Sequence, residues 1–363
     1  MIINFVPGAD EKDISKVYRI VEELGYSVKR IGGVEREVGG VVGEIENGDR
    51  DAIKELTRYG CIEAVVDISQ PHKLLRLNAS PEIKVKDDIV LDKHHLEVVG
   101  GPCTVEGEEM IKECAEKVAS SGCRIIRGGA FKPRTDPETF RGYGEDALKW
   151  LAEAAAEHNL AINTEVLDAR DVEVVANYAH ILQIGTRNMY AHALIEEAAA
   201  TGLPVLVKRG FQATIDEFLM AAKAVVLQDN PNVIMCERGI RTFEPHHRFV
   251  MDLNTIAFLK EKYPNVVLCA DSSHGTGDSQ YVKPLALAAV MAGADSLLIE
   301  AHPDPEKARI DGRQSLAYRG KDSLACLVAN VKMGYALRKG LENGTQRTPE
   351  ELCRFLAPNK TFI

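Results

Sequence analysis

Arg127, Lys132, Arg134 and Thr135 crowd three cations and a hydroxyl into nine residues, Arg127-Gly-Gly-Ala-Phe-Lys-Pro-Arg-Thr135, directly after the apolar run Cys123-Arg-Ile-Ile126. Two glycines let the backbone turn tightly there. A forked guanidinium beside the point charge of a lysine suits two separate phosphate or carboxylate groups. Alone, the stretch would read as a solvated basic loop. Its neighbours decide otherwise, because short apolar runs along the chain each close on polar residues. These are Cys103, then Glu165, Gln183 with Arg187, Lys208, Glu237 with Arg238, Asp271 with His274, and Glu300. The interiors of the runs stay apolar, a regularity that scattered surface charge would not respect.

The polar residues separate into two chemistries. Arg127, Lys132, Arg134, Arg187, Lys208 and Arg238 are six cations that would repel one another if gathered, so their natural counterpart is a polyanionic ligand. Cys103, His274, Glu300 and Asp311 offer a thiol, an imidazole and two carboxylates, a set able to hold one divalent cation. Singly, Cys103 would be a small core residue and His274 a loop histidine. Spacing leaves His302, Asp304, His246 and His247 as rival ligands.

The elements that must position these residues alternate eight times. Strands are predicted at Leu96–Val99, Cys123–Ile126, Leu160–Asn163, His180–Ile184, Pro204–Val207, Val233–Cys236, Val266–Ala270 and Ser296–Ile299. Helical patterns fall between them, among them Glu108–Ser120, Thr214–Leu227 and Pro284–Ala292, and a last one runs over about 322–338. Eight βα units in this length predict an α/β fold, a (β/α)8 TIM barrel whose active site lies at the carboxyl ends of its strands. No GxGxxG follows the first strand, which argues against a doubly wound open sheet. Residues 1–70 read βαββαβ, a small α+β ferredoxin-like domain without a catalytic constellation. Residues 71–95 read as a linker followed by a short hairpin, 96–340 as the barrel and 341–363 as a carboxyl-terminal extension with one short helix near Glu351–Leu356.

The 363 residues are 45% hydrophobic and 27% charged, with a net charge of -10, which argues against nucleic-acid or membrane binding but not against a locally basic site. No signal peptide or membrane-spanning run is read, and the eight cysteines are scattered without a CxxC pair. A cytoplasmic protein with reduced thiols is the expectation.

The motifs Gly100-Gly-Pro-Cys-Thr-Val-Glu106, Arg127–Thr135, Gln183-Ile-Gly-Thr-Arg-Asn188, Cys236-Glu-Arg-Gly-Ile-Arg-Thr-Phe243, Asp271-Ser-Ser-His-Gly275, Ile299-Glu-Ala-His-Pro303 and Asp311-Gly-Arg-Gln-Ser-Leu316 resemble those of 3-deoxy-D-arabino-heptulosonate 7-phosphate (DAHP) synthases of the type I beta branch. The likeness covers the barrel and the amino-terminal domain. It implies a transferase that condenses phosphoenolpyruvate with erythrose 4-phosphate, opening the shikimate pathway to the aromatic amino acids. It further implies Cys103, His274, Glu300 and Asp311 as ligands of one divalent ion, Mn, Fe, Co or Zn. Arg127, Lys132, Glu165, Gln183, Arg187, Lys208 and Arg238 would surround phosphoenolpyruvate, and Lys132, Pro133, Arg134 and Thr135 would bind erythrose 4-phosphate. Lys132, Glu165 and His274 would be the catalytic groups. The same likeness implies feedback control by tyrosine or phenylalanine through the amino-terminal domain, in a homo-oligomer (tetramer or dimer).

The sister enzyme 3-deoxy-D-manno-octulosonate 8-phosphate synthase, which shares the barrel but carries Lys-Ala-Asn-Arg at the Lys132–Thr135 element, is the alternative, with other metal-dependent phosphosugar aldolases. Asp136, Ser272 and Met189-Tyr-Ala-His192 depart from the family pattern, yet no proposed ligand or phosphate cation is lost.

Overall fold

The computed structural model describes residues 1–32, 37–43, 45–66, 72–132, 138 and 140–343, and its chain divides into two units, 1–73 and 74–363. The first contains β1 (Ile2–Phe5), α1 (Glu11–Glu23), β2 (Ser27–Gly32), β3 (Glu37–Val42), α2 (Asn47–Lys54) and β4 (Ile62–Val66). Its antiparallel sheet has the order β2-β3-β1-β4, a ferredoxin-like arrangement. Asp10 caps α1 by accepting from the Lys12 amide, and Ile14, Val17, Tyr18 and Val21 recur at the spacing that buries one helix face against Ile3 and Phe5. Helix α2 ends at Lys54, and the chain continues as a 3-10 turn over Glu55–Arg58.

Within the stretch read as a linker, α3 (Lys73–Asn78) forms, with Leu75 fully buried. A hairpin follows, β5 (Glu82–Lys86) and β6 (Ile89–Asp92). Eight parallel strands then close a barrel: β7 (Glu97–Gly101), β8 (Ile125–Arg127), β9 (Ala161–Val166), β10 (Ile181–Ile184), β11 (Val205–Lys208), β12 (Val233–Glu237), β13 (Val267–Asp271) and β14 (Ser296–Glu300). Their helices are α4 (Glu108–Ser120), α5 (Glu145–Glu157), α6 (Val172–Ala176), α7 (His192–Ala200), α8 (Ile215–Val226), α9 (Leu253–Lys262), α10 (Ser272–Thr276), α11 (Ser279–Ala292) and α12 (Leu324–Glu342). Thr214 and Glu217 form a capping box at α8. Helix α11 starts at Ser279, capped by Asp278, rather than at Pro284, which sits inside it.

The period-two alternation of a strand organises the barrel. Val99, Ile125, Ala161, Ile181, Leu206, Ile234, Val267 and Leu298 point inward and pack with Ile83, Val85, Ile89 and Leu91 of the hairpin. The intervening residues, such as Val98, Ile126, Leu182, Val207, Met235 and Leu297, face the helices in a second apolar layer. Two residues beyond inward Ile125, Ile181, Leu206, Cys269 and Leu298, the same face carries Arg127, Gln183, Lys208, Asp271 and Glu300. Strands β8, β11, β13 and β14 run one residue farther than their apolar pattern and end on the polar side chain itself, whereas β10 continues past Gln183 to Ile184.

Candidate active site

A cavity of about 130 Å³ at the carboxyl ends of the strands is lined by Cys103, Arg127, Lys132, Glu165, Gln183, Gly185, Thr186, Arg187, Lys208, Phe211, Arg238, Arg248, His274, Ile310 and Asp311. It brings together the predicted Cys103, Arg127, Lys132, Glu165, Gln183, Arg187, Lys208, Arg238, His274 and Asp311, with Glu300 buried just behind them. Pro133, Arg134 and Thr135, with Asp136, lie outside the described residues, as does the helix expected near Glu351–Leu356.

At one side, donor atoms of Cys103, Glu300 and Asp311 lie within 4.8 Å of one another. The Cys103 thiol donates to Asp311 Oδ2 at 3.3 Å. His274 Nε2 is 3.5 Å from Glu300 Oε1 and 3.8 Å from Asp311 Oδ2. Ligands bound at 2.0–2.3 Å to one ion stand roughly 3–4 Å apart, so Cys103, Glu300 and Asp311 suit a single divalent cation, with His274 beside the two carboxylates at the edge of that group. Asp311 is held here in a left-handed conformation, φ 58°, that aspartate tolerates better than most residues. Burial, then the neighbouring Glu300, pushes the Cys103 thiol well above its ordinary value. A bound cation would reverse that balance and favour the thiolate.

Second contacts orient these ligands. Asp271 caps α10 by accepting from the His274 amide at 3.0 Å, and its other oxygen is 2.8 Å from His274 Nδ1, off the line of a well-formed hydrogen bond. That leaves Nε2 turned toward the carboxylates, the arrangement common behind metal-bound histidines. Glu300 accepts from Arg127 Nη1 at 2.8 Å and from Gln314 Nε2 at 2.6 Å. Burial works against the Glu300 charge, but His274 and then Arg127 outweigh it and bring its pKa down to about 2. The rivals do not join: His246 contacts Glu244, His247 stacks edge-on to Tyr281, and His302 Nδ1 meets Asp304.

At the other side are the cations. Lys208 donates to Asp271 at 2.6 Å, and Lys132 is 4.0 Å from Glu165. Burial opposes the charge of Lys132, but Cys103 and Glu165 raise its pKa above the ordinary lysine value. The absence of a side chain at Gly129 gives Lys132 its space, and at Gly185 does the same for Glu165. Arg238 differs from the others. Its guanidinium stacks over Phe249 at 4.2 Å and Phe211 at 5.1 Å, and Nε and Nη1 have no hydrogen-bond partner among the described residues. Only 4% exposed, it is a buried donor set without an acceptor, and burial lowers its pKa. Arg187 lies over the same Phe211 ring, 5.5 Å from its centre. A buried cation without an acceptor points to an anion that arrives with the ligand.

Glu237, read as part of the mouth, faces away from the cavity. As the residue after inward-pointing Cys236, it must project behind the sheet, where it meets Arg209 at 2.9 Å. Sequence reasoning missed Phe211, Arg248 and Gln314. Arg248 Nη1 lies 4.0 Å from Asp311 and carries no strand-end signal, being eleven residues past β12.

A parallel barrel with a cation-lined mouth and a mixed thiol, imidazole and carboxylate cluster defines a class: phosphate-substrate enzymes of the TIM-barrel type. Residues 80–335 match the model of the DAHP synthetase I family, and residues 1–70 that of the DAHP synthase ferredoxin-like domain. The chain belongs to the DAHP synthetase I family, metal-dependent enzymes that condense phosphoenolpyruvate with erythrose 4-phosphate at the entry to the shikimate pathway. It is 39% identical over 320 residues to phospho-2-dehydro-3-deoxyheptonate aldolase of Thermotoga maritima, covering 88% of this chain and 94% of the relative. The crystal structure of a DAHP synthase from Thermotoga maritima superposes with a TM-score of 0.69 at 35% identity, over 95% of this chain and 97% of that one. A 2-dehydro-3-deoxyphosphooctonate aldolase of Methylococcus capsulatus is more distant, 31% identical over 61% of this chain and 84% of its own. No helix among the described residues is long and apolar enough to cross a membrane.

Proposed function

We propose that the two halves of the cavity divide the reaction between them. Arg187, Lys208 and Arg238 hold the phosphate of phosphoenolpyruvate, with Arg127, Lys132 and Gln183 toward its carboxylate end. Cys103, His274, Glu300 and Asp311 hold one divalent ion, Mn, Fe, Co or Zn, and Pro133, Arg134 and Thr135 complete the erythrose 4-phosphate site. The observation that carries this reading is Arg238, a buried guanidinium with unmet donors beside two other cations. When bound, the divalent cation would supply Lewis acidity at the aldehyde oxygen of the acceptor.

The residues of the chain account for the rest. The cation set fixes the donor so that its C3 faces the aldehyde carbon, and the new C–C bond forms there. Lys132, kept protonated, gives a proton to the developing alkoxide. Positive charge develops at C2 of the donor, where Glu165 stabilises it and takes a proton from the water that adds. The C2–O bond then breaks with its electron pair going to phosphate, the new C2 hydroxyl passes its proton to that phosphate and becomes the ketone, and phosphate leaves on the cations that held it. His274 is oriented by Asp271 throughout.

The amino-terminal unit, in this reading, binds tyrosine or phenylalanine and restrains turnover in a homo-oligomer operating in the cytoplasm. A ligand can do this only by preferring the restrained state. The division of the cavity is tested by titrating phosphoenolpyruvate into chelator-treated protein in a calorimeter. Binding retained without turnover supports two separable halves. Loss of donor binding on metal removal contradicts them.

A further inference from the structure

Behind the sheet, opposite the cations of the cavity, lies a buried ion network that the reaction does not use. Lys208 and Arg238 end or follow adjacent strands β11 and β12 and project into the lumen. Their chain neighbours Arg209 and Glu237 project the other way, and Arg209 Nη1 donates to Glu237 Oε2 at 2.9 Å. The Arg209 guanidinium also donates to Asp252 at 3.0 Å, to Thr255 at 3.1 Å and, through Nε, to the Ala213 carbonyl at 3.1 Å. Glu237 Oε1 accepts from the amides of Gly239 at 2.7 Å and Asp252 at 3.3 Å. One carboxylate therefore ties both ends of the 239–252 segment, where Ile240 and Val250 also bridge. That segment supplies Phe249 beneath Arg238, while the Arg209–Ala213 bond holds the turn that carries Phe211.

We propose that Arg209 and Glu237 are positioning residues for the donor's anion site: their ion pair sets the spacing and aim of Lys208 and Arg238. The physical need is plain. Two like charges on neighbouring strands repel, and neither Phe211 nor Phe249 can define a direction for a guanidinium beyond stacking. The turn after Arg238 is tight, with Gly239 at φ 83° and its α-carbon facing Gly275, so a small displacement of its amide moves the arginine directly. An amide–carboxylate tie at residue 239 and an ion pair at 237 remove that freedom. Both are buried, where such bonds are strongest and a broken partner is most costly.

The proposal rests on Arg238 as a phosphate ligand, and a double-mutant cycle separates the two claims. Glu237→Gln keeps the side chain's shape and one acceptor but loses the charge facing Arg209. It is compared with Arg238→Met and with the double variant, reading kcat/KM for phosphoenolpyruvate, KM for erythrose 4-phosphate and thermal stability. Glu237→Gln is expected to lower kcat/KM for the donor roughly tenfold, the worth of one hydrogen bond to a charged group, with KM for the acceptor unchanged. In the Arg238→Met background the same change should cost the donor clearly less than it does alone, only the part that acts through Lys208 remaining. A full additive loss in that background would make Glu237 merely structural and overturn the proposal. An undiminished donor kcat/KM for Glu237→Gln alone would do so as well. If Arg238→Met itself leaves the donor unaffected, the phosphate assignment fails instead. Arg209→Lys, which keeps charge but not the fork, should reproduce the Glu237→Gln profile; a wild-type profile would remove Arg209 from the device.

Discussion

Arg238→Met should make the ligand-free protein more stable while disabling it. Arg238 is 4% exposed and leaves Nε and Nη1 without acceptors among the described residues. Each unmet buried donor costs about 1–3 kcal/mol, and replacing buried charge by a well-packed apolar side chain commonly gains about 1–4 kcal/mol. Against this stands the stacking over Phe249 and Phe211, worth about 0.5–2 kcal/mol. Methionine recovers part of that through sulfur–aromatic contact. The balance is a gain of about 1–3 kcal/mol, or roughly 2–5 °C in Tm for the larger unit. The cost appears on binding, where two charge-assisted bonds to phosphate at about 1.5–3 kcal/mol each are lost, roughly a hundredfold or more in kcat/KM for phosphoenolpyruvate. Calorimetric melting without ligand, beside steady-state kinetics, reads both. A Met variant that melts lower than the parent, or retains donor efficiency, refutes the reasoning that the guanidinium is held unpaired for an anion.

Cys103→Ser should lose bound metal by elemental analysis and nearly all turnover, with an unchanged circular dichroism spectrum; normal metal content would remove the thiol from the site. In chelator-treated protein, Glu300 has a pKa of about 2 against an unfolded value of 4.5. A lowered carboxylate contributes stability above its unfolded value and loses it as pH falls toward the folded one. Denaturation midpoints should therefore drop between about pH 4.5 and pH 2, and Glu300→Gln should flatten that slope; an identical slope in the variant counts against the Arg127–Glu300 pairing. A protein beginning at His72, which keeps α3 and its buried Leu75, should keep synthase activity and lose inhibition by tyrosine and phenylalanine. If the full-length protein ignores both, the amino-terminal unit has only an assembly role.

Both architectures were legible because each apolar run alternates or recurs with a clear period, and because the barrel's inward face switches from apolar to polar at one level. The two clusters were legible for the same reason: Arg127, Lys208, Asp271 and Glu300 are the last inward residues of their strands. Glu237 was misread by one register step, and counting in twos from Ile234 and Cys236 would have placed it behind the sheet. Helix α3 carries no capping signal, only Leu74, Leu75 and Leu77, so local pattern could not raise it above a linker. Helix α11 begins five residues before the expected Pro284, because Asp278 caps it at Ser279. Phe211 and Arg248 depend on where long βα segments return over the mouth. That is a tertiary fact with no local signature.

In the proposed reaction, one metal-dependent site joins phosphoenolpyruvate to a four-carbon acceptor. The most direct measurement is phosphate release from phosphoenolpyruvate with erythrose 4-phosphate or arabinose 5-phosphate, before and after chelation. Release is expected with erythrose 4-phosphate, much weaker release with the five-carbon sugar, and loss of both on chelation with recovery when a divalent ion is restored. Comparable efficiency with arabinose 5-phosphate, or turnover indifferent to metal removal, would contradict it.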